Sequence, residues 1–477
     1  MTRESAEAYD LLVVGGGPGG LAAAVTAVLG GMRVALLDSG AELGGQFWRH
    51  PPAGSSVDPG DDLHHGLPTY HALVAHLRRA VTAGRCSVLV QHQVWTATHS
   101  ESGITVHVLD RSAGPGRERA TRLHAARVVL ATGAYDRALP FEGWDLPGVY
   151  TAGGLQALLK GSGVRAGSRV VVGGTGPFLL PVATGLASRG ASVVLCEANS
   201  PAEWLPHARS AVGVVGKLAE GLGYATTLAR YRVPVHLRTA ITAAHGTDRV
   251  EAVTLSRLDR RGAVVPGSGR LIEADAVGTG WGFAPQLDLA VTLGAALTAS
   301  ADGNQVVAVD EGQRTSLAGV YAAGEVCGVG GAELALREGQ LAGEAVLVDS
   351  GRPTVTSANR LRRVRGLAAR HRRFAEAMAR AHPLPEGWHG RHGWLTDETL
   401  VCRCEEVDAA AVRRAVTEGA SGVRQVKQLT RAGMGWCQGR VCATGVACLA
   451  GGDPEVTERL VAGPVPLGAL ADAHLDS

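Results

Sequence analysis

An α/β fold with two Rossmann-like domains and a small, mainly helical C-terminal domain is predicted for this chain of 477 residues. Three observations predict it. A pattern of apolar strand, glycine-rich turn and small-residue helix near the start of the chain occurs again further along, and such an internal repeat indicates duplicated units. In both copies an acidic residue ends the following strand at the same distance from the turn. Four cysteines in two close pairs lie near the end of the chain and indicate a separate module.

The composition fits a chain of two or three domains with many tight turns. Glycine supplies 66 of 477 residues, about twice its usual share. The net charge of +2 gives no reason to expect nucleic-acid binding. The two long uncharged stretches, 11–32 and 170–188, are interrupted by Gly-x-Gly and Pro, so no transmembrane segment is expected. The first residues show neither the basic flank nor the apolar core of a signal peptide, so a cytoplasmic location is expected.

The first glycine-rich turn has the spacing of a dinucleotide-binding fingerprint. Gly15 permits the turn, Gly17 lets the backbone approach a pyrophosphate, and Gly20 lets the helix pack on the strand. Pro18 lies within the same turn. Asp38 ends the next strand, where it can accept hydrogen bonds from a ribose. Because strand, turn, helix and acid occur in this order, a nucleotide site is favoured over a simple glycine turn.

The second turn repeats the first with one change. Gly174 and Gly176 correspond to the first two glycines, and Glu197 lies 23 positions after Gly174, as Asp38 does after Gly15. Leu179 replaces the third small residue, so we expect looser contact between helix and strand. The interpretations left open are a site for NAD or another adenine nucleotide and a nucleotide fold that has lost this function. If a dinucleotide binds, Glu197 favours NAD over NADP because it would repel a 2'-phosphate.

At this point the sequence resembles the flavoprotein superfamily with two dinucleotide domains that contains glutathione and thioredoxin reductases. Thr132 and Gly133, after the apolar run 128–131, resemble the segment that returns to the flavin domain. Gly324 and Glu325 resemble the turn whose acid, usually Asp, contacts the ribityl chain of FAD.

Gly45 and Gln46 complete the flavin-contact region that this resemblance implies. It further implies a discontinuous FAD domain, 1–149 and 281–350, around an inserted nucleotide domain, 150–280. Disulfide reductases of the superfamily need a cysteine pair beside the flavin. The cysteines outside the C-terminal pairs form no such pair, so thiol–disulfide chemistry is not expected.

Residues 351–398 are predicted to form a helical linker. Eight arginines lie between Arg360 and His382, which is typical of an amphipathic helix because apolar residues recur among them, namely Leu361, Val364, Ala368, Phe374 and Met378. A solvated helix over the domain junction is favoured over a docking surface. Trp388 and Trp394 are expected to hold the linker against a neighbouring domain.

The third domain, 399–477, contains the cysteine pairs Cys402 and Cys404, and Cys437 and Cys442. Four thiolates suffice for a 2Fe-2S cluster. Structural zinc is the alternative, since zinc sites also use four cysteines, but these usually have two Cys-x-x-Cys knuckles. The helix between the pairs is predicted to begin with an Asp408 cap.

The sequence around both cysteine pairs resembles the 2Fe-2S domain of bacterioferritin-associated ferredoxins. In one group of flavoproteins this domain is fused to a flavin subunit, and the present chain resembles that group. The group consists of the A or alpha subunits of opine oxidases and D-hydroxyproline dehydrogenases, together with the B subunit of hydrogen cyanide synthase. The resemblance implies FAD and a 2Fe-2S cluster here, and it implies that the partner is a glycine-oxidase-like flavin subunit. It leaves room for FMN at a subunit interface and for a small ferredoxin-like subunit.

Three functions are therefore compared. The first is the flavin and iron-sulfur subunit of a heteromeric amine or imino-acid dehydrogenase, which passes substrate electrons to an acceptor. The second is a self-contained NADH-dependent flavoprotein reductase with a fused 2Fe-2S domain. The third is a non-enzymatic docking or iron-sensing role for the C-terminal domain. No motif in the sequence assigns a catalytic acid or base.

Overall fold

The computed structural model describes residues 9–58, 60–207, 215–390, 393–452 and 461–475. It contains two large sheets with helices against them, a long linker helix and a small helical domain. This is the mixed α/β architecture that the sequence predicts. Among the described residues, none of the helices combines the length and apolar character needed to cross a membrane.

The first sheet has seven strands and a parallel part that is buried. In spatial order its strands are Cys86–Leu89, Val34–Leu37, Tyr9–Val14, Arg119–Leu130, Gly103–Asp110 and His92–Ser100, with Val320–Ala322 also paired to Arg119–Leu130. Arg119–Leu130 pairs antiparallel with Gly103–Asp110 and parallel with Tyr9–Val14. The parallel strands read as continuous apolar runs because both faces of this part of the sheet are covered.

Two helices on this sheet touch backbone to backbone. They are Pro18–Leu29 and Ala332–Asp349. A Cβ atom on Gly339 would lie 2.0 Å from the carbonyl oxygen of Gly19, so a side chain there would force the helices apart. This contact fixes the start of Pro18–Leu29 at the carboxyl edge of the sheet. The helix Leu67–Thr82 completes this layer.

The second sheet has five parallel strands and a three-stranded antiparallel neighbour. In spatial order they are Val235–Leu237, Ser192–Glu197, Arg169–Gly174, Ala276–Gly280 and Val149–Thr151, and then Thr239–His245, Ala252–Arg257 and Arg270–Glu273. Among the described residues of this part, the helices are Ala152–Ser162, Leu179–Ser188 and Val215–Arg230. Ala134–Asp136 and Phe283–Pro285 pair antiparallel where the chain crosses between the sheets. The topology supports the domain limits near 149 and 281, which stay predictions.

The linker contains the helix Ala358–Ala381, as its arginine-rich pattern predicts. The described part of the C-terminal domain has a short hairpin, Leu400–Cys402 with Val407–Asp408, and the helices Ala409–Thr417, Val423–Thr430, Ala443–Leu449 and Leu467–Leu475. The Asp408 side chain accepts a 2.7 Å hydrogen bond from the backbone N–H of Ala411, so the predicted helix cap is confirmed. The remaining short elements are Asp61–Leu63, Pro201–His207, Asp288–Leu293, Leu297–Ala299, Gln305–Val307, Glu325–Cys327 and Glu386–His389.

One apolar core joins the second sheet, the linker and the C-terminal domain. It contains Trp281 of the crossover, Trp388 and Trp394 of the linker, and Val401 of the hairpin. The rings of Trp281 and Trp394 stack with their centroids 6.0 Å apart. The expectation that the linker tryptophans pack on a neighbouring domain is confirmed.

Candidate cofactor sites

The first glycine turn has a backbone that excludes side chains at two positions. Gly15 has φ +110°, and a Cβ atom there would lie 2.2 Å from the carbonyl oxygen of Ala131. At Gly20 a Cβ atom would lie 1.8 Å from the carbonyl oxygen of Gly15. These two glycines are therefore required by the fold itself.

Gly17 differs, because the protein leaves space in front of it. Its φ of −75° is ordinary, and a Cβ atom there would have Gly45 Cα as its nearest neighbour, at 3.9 Å. Gly45 has φ +59°, and a Cβ atom on it would lie 2.9 Å from Gly17 Cα. Pro18 begins the helix, whose first amides have no intrahelical acceptor. The open space before these amides suits a pyrophosphate, so the residues fit the phosphates of FAD.

The acid after the second strand contacts the same turn. One Asp38 carboxylate oxygen accepts a 2.6 Å hydrogen bond from the N–H of Gly16, and the other accepts one of 2.6 Å from Gly40. Asp38 follows the strand Val34–Leu37 directly. Its carboxylate thus lies beside the turn, at the predicted ribose position.

The other residues assigned to FAD follow neighbouring strands of the first sheet. Thr132 Oγ1 donates a 2.8 Å hydrogen bond to the carbonyl oxygen of Gln286, whose N–H donates one of 2.9 Å to Gly133. Glu325 follows Val320–Ala322, and its Oε1 accepts a 2.8 Å hydrogen bond from the N–H of Gly331. Burial raises the pKa of Glu325.

Gln46 and Gly324 have partners of their own. Gln46 Oε1 accepts hydrogen bonds of 3.1 Å and 2.9 Å from Arg49. The N–H of Gly324 donates one of 3.0 Å to Glu338. The structure therefore brings the predicted FAD residues to one edge of the sheet, because the carboxyl ends of parallel strands meet there. Their contacts with FAD stay predictions.

The second glycine turn matches the first at its first glycine but differs at its second. Gly174 has φ +145°, and a Cβ atom on it would lie 1.8 Å from the carbonyl oxygen of Gly280. Gly176 has φ +99° where Gly17 has φ −75°, and no atom of the described residues lies within 4 Å of its Cβ position. Glu197 accepts a 2.9 Å hydrogen bond from the N–H of Gly176 and one of 2.8 Å from Thr175 Oγ1. Its nucleotide occupant stays a prediction.

Leu179 is accommodated at the third position of this turn. The helix Leu179–Ser188 starts at this residue, two positions later in the repeat than Pro18 starts its helix. Leu179 is only 2% exposed, and a Cβ atom on Gly280 would lie 2.8 Å from its Cδ2. The leucine side chain therefore fills the space that a glycine on the facing strand leaves, instead of loosening the contact as expected.

The four C-terminal cysteines come together in the fold. The Sγ atoms of Cys402 and Cys404 lie 4.0 Å apart, and those of Cys404 and Cys437 lie 3.8 Å apart. Cys402 is also in hydrogen-bond contact with Cys442. These separations are close to the ~3.8 Å expected of thiolates that share a tetrahedral metal with bonds of ~2.3 Å.

Contacts between neighbouring sulfur atoms join the four thiols into a row, in the order Cys442, Cys402, Cys404 and Cys437. Hydrogen bonds from Cys442 and from the N–H of Gly433 lower the pKa of Cys402, whereas the contact with Cys402 raises the pKa of Cys442 and burial raises that of Cys404. Of these three thiols, Cys402 most readily forms the thiolate, which is the form that binds iron.

Sequence reasoning missed how the cysteine domain is held. Trp144, just after the crossover strand, donates a 2.6 Å hydrogen bond from Nε1 to the carbonyl oxygen of Leu400. The Arg403 guanidinium lies over the same indole, 5.0 Å from the ring centroid. Gly445 packs against Pro140, since a Cβ atom there would lie 3.1 Å from the proline Cδ. The thiol site is thus fixed to the segment that joins the two sheets. The signal that the sequence offered was the tryptophan at the start of the run Gly143-Trp-Asp-Leu-Pro-Gly, at the predicted limit between the domains.

Two known families match this chain. The pyridine nucleotide-disulphide oxidoreductase family matches residues 9–346, and the BFD-like 2Fe-2S binding domain matches residues 400–449. In fold, the chain is similar to the crystal structure of L-proline dehydrogenase from P. horikoshii, with a TM-score of 0.67 and 20% identity over 97% of this chain and 79% of that one.

Curated relatives match over most of the chain. The A subunit of opine oxidase from Agrobacterium tumefaciens is 34% identical over 92% of this chain and 84% of its own length. The HcnB subunit of hydrogen cyanide synthase from Pseudomonas aeruginosa is 29% identical over 90% of each chain. Membership of the two families implies FAD and a 2Fe-2S cluster. The chain belongs to the pyridine nucleotide-disulphide oxidoreductase family, as a flavin-dependent oxidoreductase that carries a BFD-like 2Fe-2S binding domain.

Proposed function

We propose that this chain is the flavin and iron-sulfur subunit of a heteromeric dehydrogenase that oxidises a carbon–nitrogen bond of an amine or imino acid, of the opine or hydroxyproline type. The observation that carries the proposal is the pair of sites on one chain. A glycine turn suited to FAD and a row of four thiols are joined through the crossover segment next to Trp144.

The two groups supply complementary chemistry, because a flavin accepts two electrons together and a 2Fe-2S cluster transfers them singly. The chain's own residues bind and orient these groups. Cys402, Cys404, Cys437 and Cys442 would hold the cluster. Cys404 is exposed, and the neighbouring Trp436 is 81% exposed. A partner protein could therefore approach the thiol row closely, and exposed tryptophans are common at such contacts.

Relatives named as subunits support a separate partner for substrate oxidation. Two such relatives are the A subunit of opine oxidase and the alpha subunit of sarcosine oxidase. The latter, from a Corynebacterium species, is 34% identical over 59% of this chain and 27% of its own length. We propose that the partner is a glycine-oxidase-like flavin subunit, while FMN at the interface and a small ferredoxin-like subunit are further candidates. The substrate carbon would then meet a flavin on the partner chain.

The second candidate function is a self-contained NADH-dependent flavoprotein reductase. It is favoured by the second glycine turn, where Glu197 accepts a hydrogen bond from the N–H of Gly176, one position later in the repeat than the N–H of Gly16 that Asp38 accepts from. NADH bound in this domain would pass its hydride to the flavin and leave as NAD⁺, so no partner subunit would be needed.

Dye reduction by the isolated chain separates the two candidates. We expect no reduction with D-amino acids, opines or cyclic imino acids until the cognate flavin subunit is added. In that complex, Cys437→Ser should stop transfer to the outer acceptor while substrate still bleaches flavin in a single turnover. Amine oxidation by the isolated chain would contradict the subunit proposal, and rapid NADH oxidation without a partner would favour the second candidate.

A further inference from the structure

A buried carboxylate lies directly beneath the turn assigned to the ribityl chain of FAD. Glu338, on the helix Ala332–Asp349, is 3% exposed. Its Oε2 accepts a 3.0 Å hydrogen bond from the N–H of Gly324, the first residue of the turn. Its Oε1 forms an ion pair with Nη2 of Arg372, on the linker helix Ala358–Ala381.

Arg372 also holds the far end of the same turn. Its Nη1 donates a 2.9 Å hydrogen bond to the carbonyl oxygen of Gly328. Gly328 has φ +117°, and a Cβ atom on it would lie 2.7 Å from that Nη1, so a glycine is needed to admit the guanidinium. Arg372 thus holds both ends of the turn. It holds Gly324 through Glu338, and it holds Gly328 by a direct hydrogen bond.

This arginine lies outside both matched families, which end at residue 346 and begin at residue 400. We propose that Arg372 is a positioning residue for the flavin turn 324–328, and that it acts through the charge and orientation of Glu338. The linker helix between the two cofactor domains would then set the environment of the flavin. The inference depends on where FAD binds but not on which substrate is oxidised.

The charges around Glu338 indicate what removing Arg372 would do. Arg372 faces it from the linker helix, while Glu325 and Cys327 face it from the turn, and Asp302 lies near Glu325. Burial raises the pKa of Glu338 to about 6, against the lowering effect of Arg372. Without the guanidinium this pKa rises further, because a nearby cation favours the charged form of a carboxyl. Glu338 would then be protonated at neutral pH, and Gly324 would lose a charged acceptor.

The test compares Arg372→Met with Arg373→Met in the full-length protein reconstituted with FAD. Arg373 is the next residue of the same helix and is exposed, so its variant controls for the loss of one positive charge. We expect FAD to bind Arg372→Met about tenfold more weakly, the scale of one lost hydrogen bond to a charged group. Arg373→Met should bind FAD as the wild type does.

A pH titration of the flavin absorbance separates positioning from general damage. In the wild type we expect a transition near pH 6, and in Arg372→Met the same transition displaced upward by one pH unit or more. Glu338→Gln and the double variant Glu338→Gln, Arg372→Met should lack it. The double variant should recover part of the affinity, since it removes both members of the buried pair.

Equal FAD affinity and equal pH profiles in Arg372→Met and Arg373→Met would overturn the proposal. If Arg372→Met does not fold, two other variants take its place. Arg372→Lys keeps the positive charge beside Glu338, and the double variant leaves no unpaired carboxylate. The proposal would also be overturned if both variants that lack Glu338 kept the transition. Wild-type protein that cannot bind FAD would overturn the flavin placement itself, whereas failure of the amine assay would leave this result intact.

Discussion

Trp144 donates a 2.6 Å hydrogen bond from its indole nitrogen to the carbonyl oxygen of Leu400, two residues before the first of the four clustered cysteines. The two residues are separated by 256 positions in the chain. Arg403 covers the same indole, 5.0 Å from its centroid. The contact ties the cysteine hairpin to the crossover between the two sheets, so it fixes how the two cofactor sites are oriented.

Replacing Trp144 tests this connection. Trp144→Phe keeps an aromatic ring below Arg403 but removes the donor to Leu400, which we expect to cost about 1 kcal/mol. Hydrogen exchange of the strand Leu400–Cys402 should become about fivefold faster for that cost. Trp95→Phe is the control, because the buried Trp95 indole nitrogen has no hydrogen-bond partner among the residues that the structure describes. Equal protection in both variants would argue against the connection.

The cysteine row makes a direct prediction about iron. Cys404→Ser or Cys437→Ser should lose the cluster while FAD remains bound, because thiolates both hold the irons and balance their charge. Chemical analysis of the wild type should find about two irons and two acid-labile sulfides per chain. Cys448→Ser, a cysteine of the same domain outside the row, should retain both. Stoichiometric zinc without sulfide would refute the cluster assignment.

At Gly17 a side chain would occupy the space predicted for FAD without a steric clash with the protein. Since the nearest protein atom to its Cβ position is 3.9 Å away, Gly17→Val should fold and keep its iron but purify without flavin. Absorbance at flavin and cluster wavelengths measures both groups in one spectrum. Gly366→Val adds the same side chain at an open position of the linker helix and should keep its flavin. Full flavin occupancy in Gly17→Val would show that the cofactor is placed wrongly.

Lys160 predicts a pH-dependent stability. It is 7% exposed and donates a 3.2 Å hydrogen bond to the carbonyl oxygen of Phe47, and burial lowers its pKa from 10.5 to about 8. The unfolded chain therefore binds more protons than the folded protein between pH 8 and 10.5, so stability rises with pH in this window.

The measurement is thermal unfolding of the wild type and Lys160→Met between pH 7 and 10.5. Relative to the variant, the wild type should gain on the order of 3 kcal/mol across this range. Lys427→Met, which replaces a partly exposed lysine of the C-terminal domain, should follow the wild type. A difference between wild type and Lys160→Met that does not change with pH would contradict the buried amine.

Local chemistry explains what could be predicted from the sequence. Gly15 and Gly174 could be recognised because a turn of positive φ between a strand and a helix requires glycine, and the structure has both turns. The cysteine row could be predicted because few residue types bind iron. The Asp408 cap is equally local, since donor and acceptor are three residues apart.

The contacts that escaped prediction are those between distant parts of the chain. Arg372 lies 34 positions from Glu338, and nothing in an arginine-rich helix distinguishes it from the arginines that face solvent. Leu179 was misjudged for the same reason, because the glycine that makes room for it, Gly280, lies on another strand. A single sequence contains no record of such pairings, which are decided only when the sheets assemble.

The core shared by the second sheet and the cysteine domain has a consequence for the cell. Val401 and Cys442 belong to the same apolar cluster as Ile241 and Val253 of the antiparallel strands. Ligation of a metal site commonly supplies folding free energy to its domain. When iron is scarce, the cysteine domain would lose this stabilisation, and its side of the shared core would become less stable. The antiparallel strands that pack on this side would then unfold locally more often. We therefore expect the abundance of the whole polypeptide to follow the iron supply, because chains that open more often are degraded faster.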